Sequence, residues 1–155
     1  MRGYQPLLAA CVEIGLFVNS RFQHGNVNTQ GDLVTFIEEC RKLMPARIKT
    51  VRSDSAGYNH QVVNHCFKEH LNFTITADHI PEEQKDANAV IHFHEKRGEM
   101  ERMIGELKSH YNMDHFPCGQ FSANSLYFAI GIFAFNLVQL LKQHYFGKDR
   151  RTKMH

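Results

Sequence analysis

The stretch from His94 to Tyr111, HEKRGEMERMIGELKSHY, has the spacing of an amphipathic helix. Wound at about 100° per residue from His94, Arg97 falls at about 300°, Lys108 at about 320° and Glu101 at about 340°. These four side chains therefore share one stripe about 60° wide. Met100, Met103, Ile104, Leu107 and Tyr111 fall between about 180° and 280°, the face a core would take. A basic-acidic-basic stripe thus borders the apolar face. Gly98 and Gly105 lie beside it. Each costs about 1 kcal/mol inside a helix, and close approach of another group is one reason to keep them. Read from geometry alone, Arg97 and Glu101 form an i,i+4 pair on a solvated face, worth a few tenths of a kcal/mol.

Working back from this helix, Pro6 to Phe22 is rich in Leu, Val, Ile and Phe. It reads as two short strands meeting near Glu13–Gly15, a hairpin. Asp32 or Thr29 caps a helix running to about Leu43, with Leu33, Phe36, Ile37 and Cys40 at helical spacing. Arg47 to Ser53 reads as a strand ending at Asp54, followed by a turn and a helix from about Asn59 to His70. Residues 71–77 read as a strand, and residues 77–91 as a short polar loop. Working forward, Pro117 and Gly119 break the chain, and Ser122 caps a last long helix to about His144. This order predicts an α/β fold with a mixed sheet flanked by helices. The domain is expected to span residues 1–146, with 147–155 as a basic tail carrying Lys148, Arg150, Arg151 and Lys153.

The last helix passes a simple test of length for a short membrane span. Asn136 and Gln139 interrupt it, and such groups need a partner inside a bilayer. A buried core helix is the better reading, with no membrane and a cytoplasmic location.

The chain has 155 residues and a net charge of +2. That length suits one domain with a real core. Bulk charge does not mark a nucleic-acid binder, so any such binding rests on a local patch. The four cysteines are far apart and form no CxxC, which fits reduced thiols. Among the eleven histidines, His70 is i,i+4 from Cys66 on the expected helix, but no four-ligand zinc spacing is completed.

Three segments resemble one family. The spacing His94-x2-Arg97-x3-Glu101-x6-Lys108 matches the Y-x2-R-x3-E-x6-K signature of DDE transposases of bacterial insertion sequences, with His in the Tyr position. HEKRGEMERMIGELK resembles that family's RG-x-x-E-x-x-I-x-E-L-K helix. FSANSLYFAIGIFAFNLVQLLK resembles its aN…a…NL helix. VRSDSAGY, residues 51–58, resembles its R-x-D-S-G-F-Y element, with Ala56 inserted. Without the resemblance, Asp54 reads as a turn or cap residue.

The resemblance implies a ribonuclease-H-like fold lacking the family's first strand and its long β insertion. It implies that Asp54 and Glu101 are catalytic, metal-holding carboxylates. Arg97, Lys108 and His94 would hold phosphates of a DNA end. The cofactor implied is Mg²⁺ or Mn²⁺, hard cations that take oxygen ligands. Two such ions about 3.5–4 Å apart serve in-line attack on a phosphodiester. The family's first Asp lies on a strand upstream of a Gly-Tyr-x-Pro-Leu element, which here begins at Gly3. Asp32 begins a helix and Glu13 lies in the hairpin, so neither replaces it. The expectation is a truncated catalytic domain, inactive by itself in cleavage and strand transfer. Its partners would be transposon-end DNA and a homodimer or full-length transposase. Two other classes remain: a non-catalytic DNA-binding or transposase-interacting remnant, and an unrelated metal-dependent hydrolase using the histidines.

Overall fold

The computed structural model describes residues 3–27, 32–44, 48–54, 57, 59–75 and 87–146, with the side chains of the last segment described from 98 onward. The expected basic tail, Thr29 and Ala56 lie outside the described residues. The element order is β1 (Leu7–Cys11), β2 (Leu16–Arg21), α1 (Leu33–Leu43), β3 (Thr50–Ser53), α2 (His60–Lys68), β4 (Asn72–Ile75), α3 (Ala87–His110) and α4 (Phe121–Phe146). The strands fall into two pairs, β1 with β2 and β3 with β4. The chain divides into two compact units, one of residues 1–7 and 23–91, the other of residues 8–22 and 92–155.

In the first unit, β3 and β4 run parallel, with Thr50 opposite Asn72 and Ser53 opposite Ile75. Parallel strands need a crossover, and α2 supplies it. Asn59 caps α2 by accepting the Gln61 N–H at 2.9 Å. The helix stops in a Schellman turn. Leu71 donates its N–H to the Cys66 carbonyl at 2.8 Å, and His70 takes the left-handed conformation at φ 53°. His70 therefore lies beyond the helix, not one turn along it from Cys66 as the spacing suggested. Ile37, Val62, Cys66 and Leu71 form the core, with Leu33, Val34, Val51, Phe73 and Ile75 against it. An ionic cluster ties α1 to α2. Glu38 accepts from Arg41 at 2.6 Å and meets His65 Nε2 at 2.8 Å, while Arg41 also reaches Glu69 at 2.9 Å. Asp32 stands at the N-cap of α1 but makes no side-chain capping bond there.

In the second unit, β1 and β2 form the expected hairpin. Gly15 closes its turn at φ 64°, donating to the Cys11 carbonyl at 2.8 Å. The core holds Phe17, Met103, Leu107, Met113, Phe128, Ile132 and Phe135. Phe135 is fully buried, and its ring lies 4.9 Å from that of Phe17.

Two helix starts differ from expectation. α3 starts at Ala87, so residues 87–91 are helical and not loop. α4 starts at Phe121, and Ser122 is inside it; the Gln120 carbonyl accepts the Asn124 N–H at 3.1 Å. The cause in α4 is Asn124, which is fully buried and bonds the Cys118 carbonyl through its amide at 2.7 Å. That bond fixes the connector against the first turn of the helix.

Candidate active site

Asp54 follows directly on β3, at the carboxyl end of a strand in a parallel pair. Open α/β sheets place their ligands at this edge. The side chain is exposed. The Asp54 carbonyl accepts the Gly57 N–H at 3.0 Å, which turns the chain back toward the strand. Gly57 is buried there, and a Cβ on it would overlap the Ser53 side chain. Glycine at this position is thus required by close packing. It holds the Asp54 backbone in place while leaving the carboxylate outward.

Glu101 and Lys108 lie on α3. Its apolar face is the one the spacing defines: Met103 and Leu107 are each 2% exposed, and Met100 and Tyr111 pack against the same core. Glu101 and Lys108 are both exposed, two turns apart on the same flank. Arg97 and His94 belong to the helix, one and two turns before Glu101. Their side chains lie outside the described residues. Arg102 and Glu106, on another arc of the helix, make an i,i+4 ion pair at 2.7 Å. Gly98 and Gly105 do not mark a close approach within the described chain, because a Cβ on either meets open space.

Asp54 belongs to the first unit and Glu101 to the second. Each presents exposed carboxylate oxygens, donors suited to a hard cation such as Mg²⁺. No group of three or more His, Cys, Asp or Glu that could hold a metal ion is found among the described residues. Donor type fits a divalent cation, while donor number depends on groups beyond these two. Cys66 is not a competing ligand: burial pushes its thiol up, which disfavours the thiolate a metal needs.

The two amides that interrupt the apolar run of α4 have packing partners, as a core helix requires. Asn136 looks like a polar interruption of an apolar helix. It is a clamp: its Oδ1 accepts the Phe17 N–H at 2.9 Å, and its amide donates to the Phe17 carbonyl at 2.8 Å. Gln139 donates to Glu106 at 3.2 Å, joining α4 to α3. These bonds seat the helix that carries Glu101 and its neighbour in one unit. The signal in the sequence was the pair of amides in an otherwise apolar run.

The fold is a mixed α/β arrangement of the ribonuclease-H-like type. The fold is similar to the catalytic core domain of BIV integrase, known from a crystal structure. The TM-score is 0.53 at 15% identity, covering 90% of this chain and 87% of that one. No curated protein sequence matches the chain. Residues 70–155 match the family described as transposase DDE domain, group 1, and the chain belongs to that family.

Proposed function

We propose that this chain is the catalytic-domain part of an insertion-sequence DDE transposase, with Asp54 and Glu101 as two of its three metal-holding carboxylates. The observation that carries this reading is the family match over residues 70–155, which contains all of α3. The likeness of fold to an integrase core supports it. Bound Mg²⁺ or Mn²⁺ would supply activation of the attacking oxygen and charge stabilisation on the leaving one.

The chain's own residues do the rest. The Asp54 and Glu101 carboxylates would each supply oxygen ligands to a divalent ion. Lys108 neutralises a phosphate of the DNA end from the same flank of α3 as Glu101. Arg97, with a guanidinium fork suited to bidentate phosphate contact, acts one turn earlier. His94 donates to a phosphate where the signature has a phenol. Asp54 and Glu101 are two carboxylates of a three-carboxylate site, and two alone would hold the metals weakly. It acts in the cytoplasm on transposon-end DNA, alongside a second copy or a full-length transposase.

Incubation with Mg²⁺ or Mn²⁺ and supercoiled or end-containing DNA tests this directly. Salt-dependent binding without cleavage is the expected result, with the salt slope falling by about one in Lys108→Ala. Robust cleavage abolished by Glu101→Gln would overturn the inactivity and keep the class. Absence of DNA binding at low salt would overturn the function itself.

A further inference from the structure

α4 has two apolar faces, and only one of them is used by the core. Phe128, Ile132 and Phe135 are buried. On the other side, Leu126, Ile130, Phe133, Leu137 and Leu140 are 63%, 57%, 69%, 45% and 49% exposed. Their spacing is four, three, four, three, which is the a/d spacing of a coiled-coil seam. A core needs no such regularity on its outer side, and a solvated face would carry charge. Lys142 is the one Lys, Arg, Asp or Glu in the helix.

We propose that this seam is the contact between two copies of the chain, paired antiparallel about a two-fold axis near Phe133. The spacing matches itself to within one residue in that arrangement. Leu126 of one copy meets Leu140 of the other, Ile130 meets Leu137, and the two Phe133 rings face each other. A two-fold contact requires such a match of a patch with itself. Ala129 and Ala134 flank the seam and let the two helices approach closely. With no carboxylate on α4, like-charge repulsion across the contact is minimal.

The area is also sufficient. An aromatic side chain buries roughly 150–250 Å², so Phe133 alone offers on the order of 100 Å². The seam, with exposed Leu141 and Tyr145 beside it, amounts to on the order of 600 Å² per copy, or roughly 1,200 Å² for the pair, the lower end of specific interfaces. A lipid bilayer is the competing occupant, since α4 is long and apolar enough to cross one. The clamp of Asn136 on Phe17 and the bond of Gln139 to Glu106 argue against it. They hold the opposite side of α4 in the protein, and a spanning helix would strand those amides. This inference identifies the face for a second copy and does not rest on the assignment of Asp54 and Glu101.

Sedimentation equilibrium of the full chain, from low to high micromolar, is the test. The expected mass is twice 18.0 kDa. Phe133→Glu and Leu137→Glu should each raise the dimer dissociation constant by at least about tenfold, with unchanged far-ultraviolet dichroism. Leu43→Glu, an equally exposed site on α1, should leave it unchanged. A Phe133→Cys variant should form a disulfide-linked dimer that the native cysteines do not. A monomer mass throughout would overturn the proposal, as would a dimer indifferent to the seam variants. Flotation of the wild-type chain with phosphatidylcholine vesicles, lost in Phe133→Glu, would assign the seam to lipid and overturn it as well.

Discussion

Replacing Asn136 by alanine should loosen the joint between the hairpin and α4 without touching the candidate carboxylates. The Asn136 amide exchanges two hydrogen bonds with the backbone of Phe17, at 2.9 and 2.8 Å, across 119 positions of sequence. Each such bond contributes about 0.5–1.5 kcal/mol net, and each backbone group left unpaired when buried costs about 1–3 kcal/mol. The bonds are part-buried, so water recovers some of that loss. A destabilisation of about 1–3 kcal/mol follows, or a fall in melting temperature of roughly 3–10 °C for a chain of this size. Thermal unfolding followed by circular dichroism measures it. Asn136→Asp sharpens the test. The carboxylate can still accept from the Phe17 N–H but faces the Phe17 carbonyl with no donor. It should be at least as destabilising as alanine at neutral pH and should recover in part when acid protonates it. A change below about 1 °C in both variants would refute the clamp, since even one net bond of this kind contributes more.

Other expectations follow from single contacts. Gly105→Ala should raise stability by about 1 kcal/mol, because the added Cβ meets open space in an exposed helix interior; a loss of stability there would show an approach that the described residues do not make. Leu107→Ala, at 2% exposure, should cost about 2–5 kcal/mol in denaturant unfolding. Gly57→Ala should destabilise by driving its methyl into Ser53, and Ser53→Gly in the same chain should restore part of the loss. Glu38 gives a pH test. Burial pushes its carboxyl up, but Arg41 and His65 outweigh that and hold it below the ordinary value of 4.5. A depressed carboxyl stabilises above its ordinary value, and that contribution is lost as pH falls through the lowered one. The melting-temperature difference between wild type and Glu38→Gln should therefore be present at neutral pH and shrink once pH drops below the ordinary carboxylate range.

Much of this fold is legible because local and tertiary requirements agree. The core face of α3 follows from a period of 3.6, and Met103 and Leu107 are buried where it places them. The hairpin follows from two β-rich runs joined at Gly15. Asp54 at a strand end follows from the change from Val51–Ser53 to turn residues. The family resemblance, carried on α3 and the aN…a…NL helix, agrees with the family to which the chain belongs. Other features are illegible for physical reasons. α4 is apolar nearly all round, so periodicity cannot say which face meets the core; only Asn124, Asn136 and Gln139 mark the packed side. The start of α3 is hidden because Val90 and Ile91 fall off the apolar face that marks the rest of the helix. Cys66 and His70 have helical ligand spacing, yet a left-handed stop at His70 breaks it. The cluster of Glu38, Arg41, His65 and Glu69 joins residues far apart in sequence, which no local pattern reveals.

Whether Asp54 and Glu101 each ligate a divalent ion is the question closest to the catalytic assignment. Iron(II), bound in place of Mg²⁺ and treated with ascorbate and peroxide, cuts the backbone beside its ligands. At saturating iron, mass mapping of the fragments should show cuts flanking residue 54 that are lost in Asp54→Asn and cuts flanking residue 101 that are lost in Glu101→Gln. The absence of cuts beside either residue, or cuts that survive removal of the carboxylate they flank, would contradict the assignment.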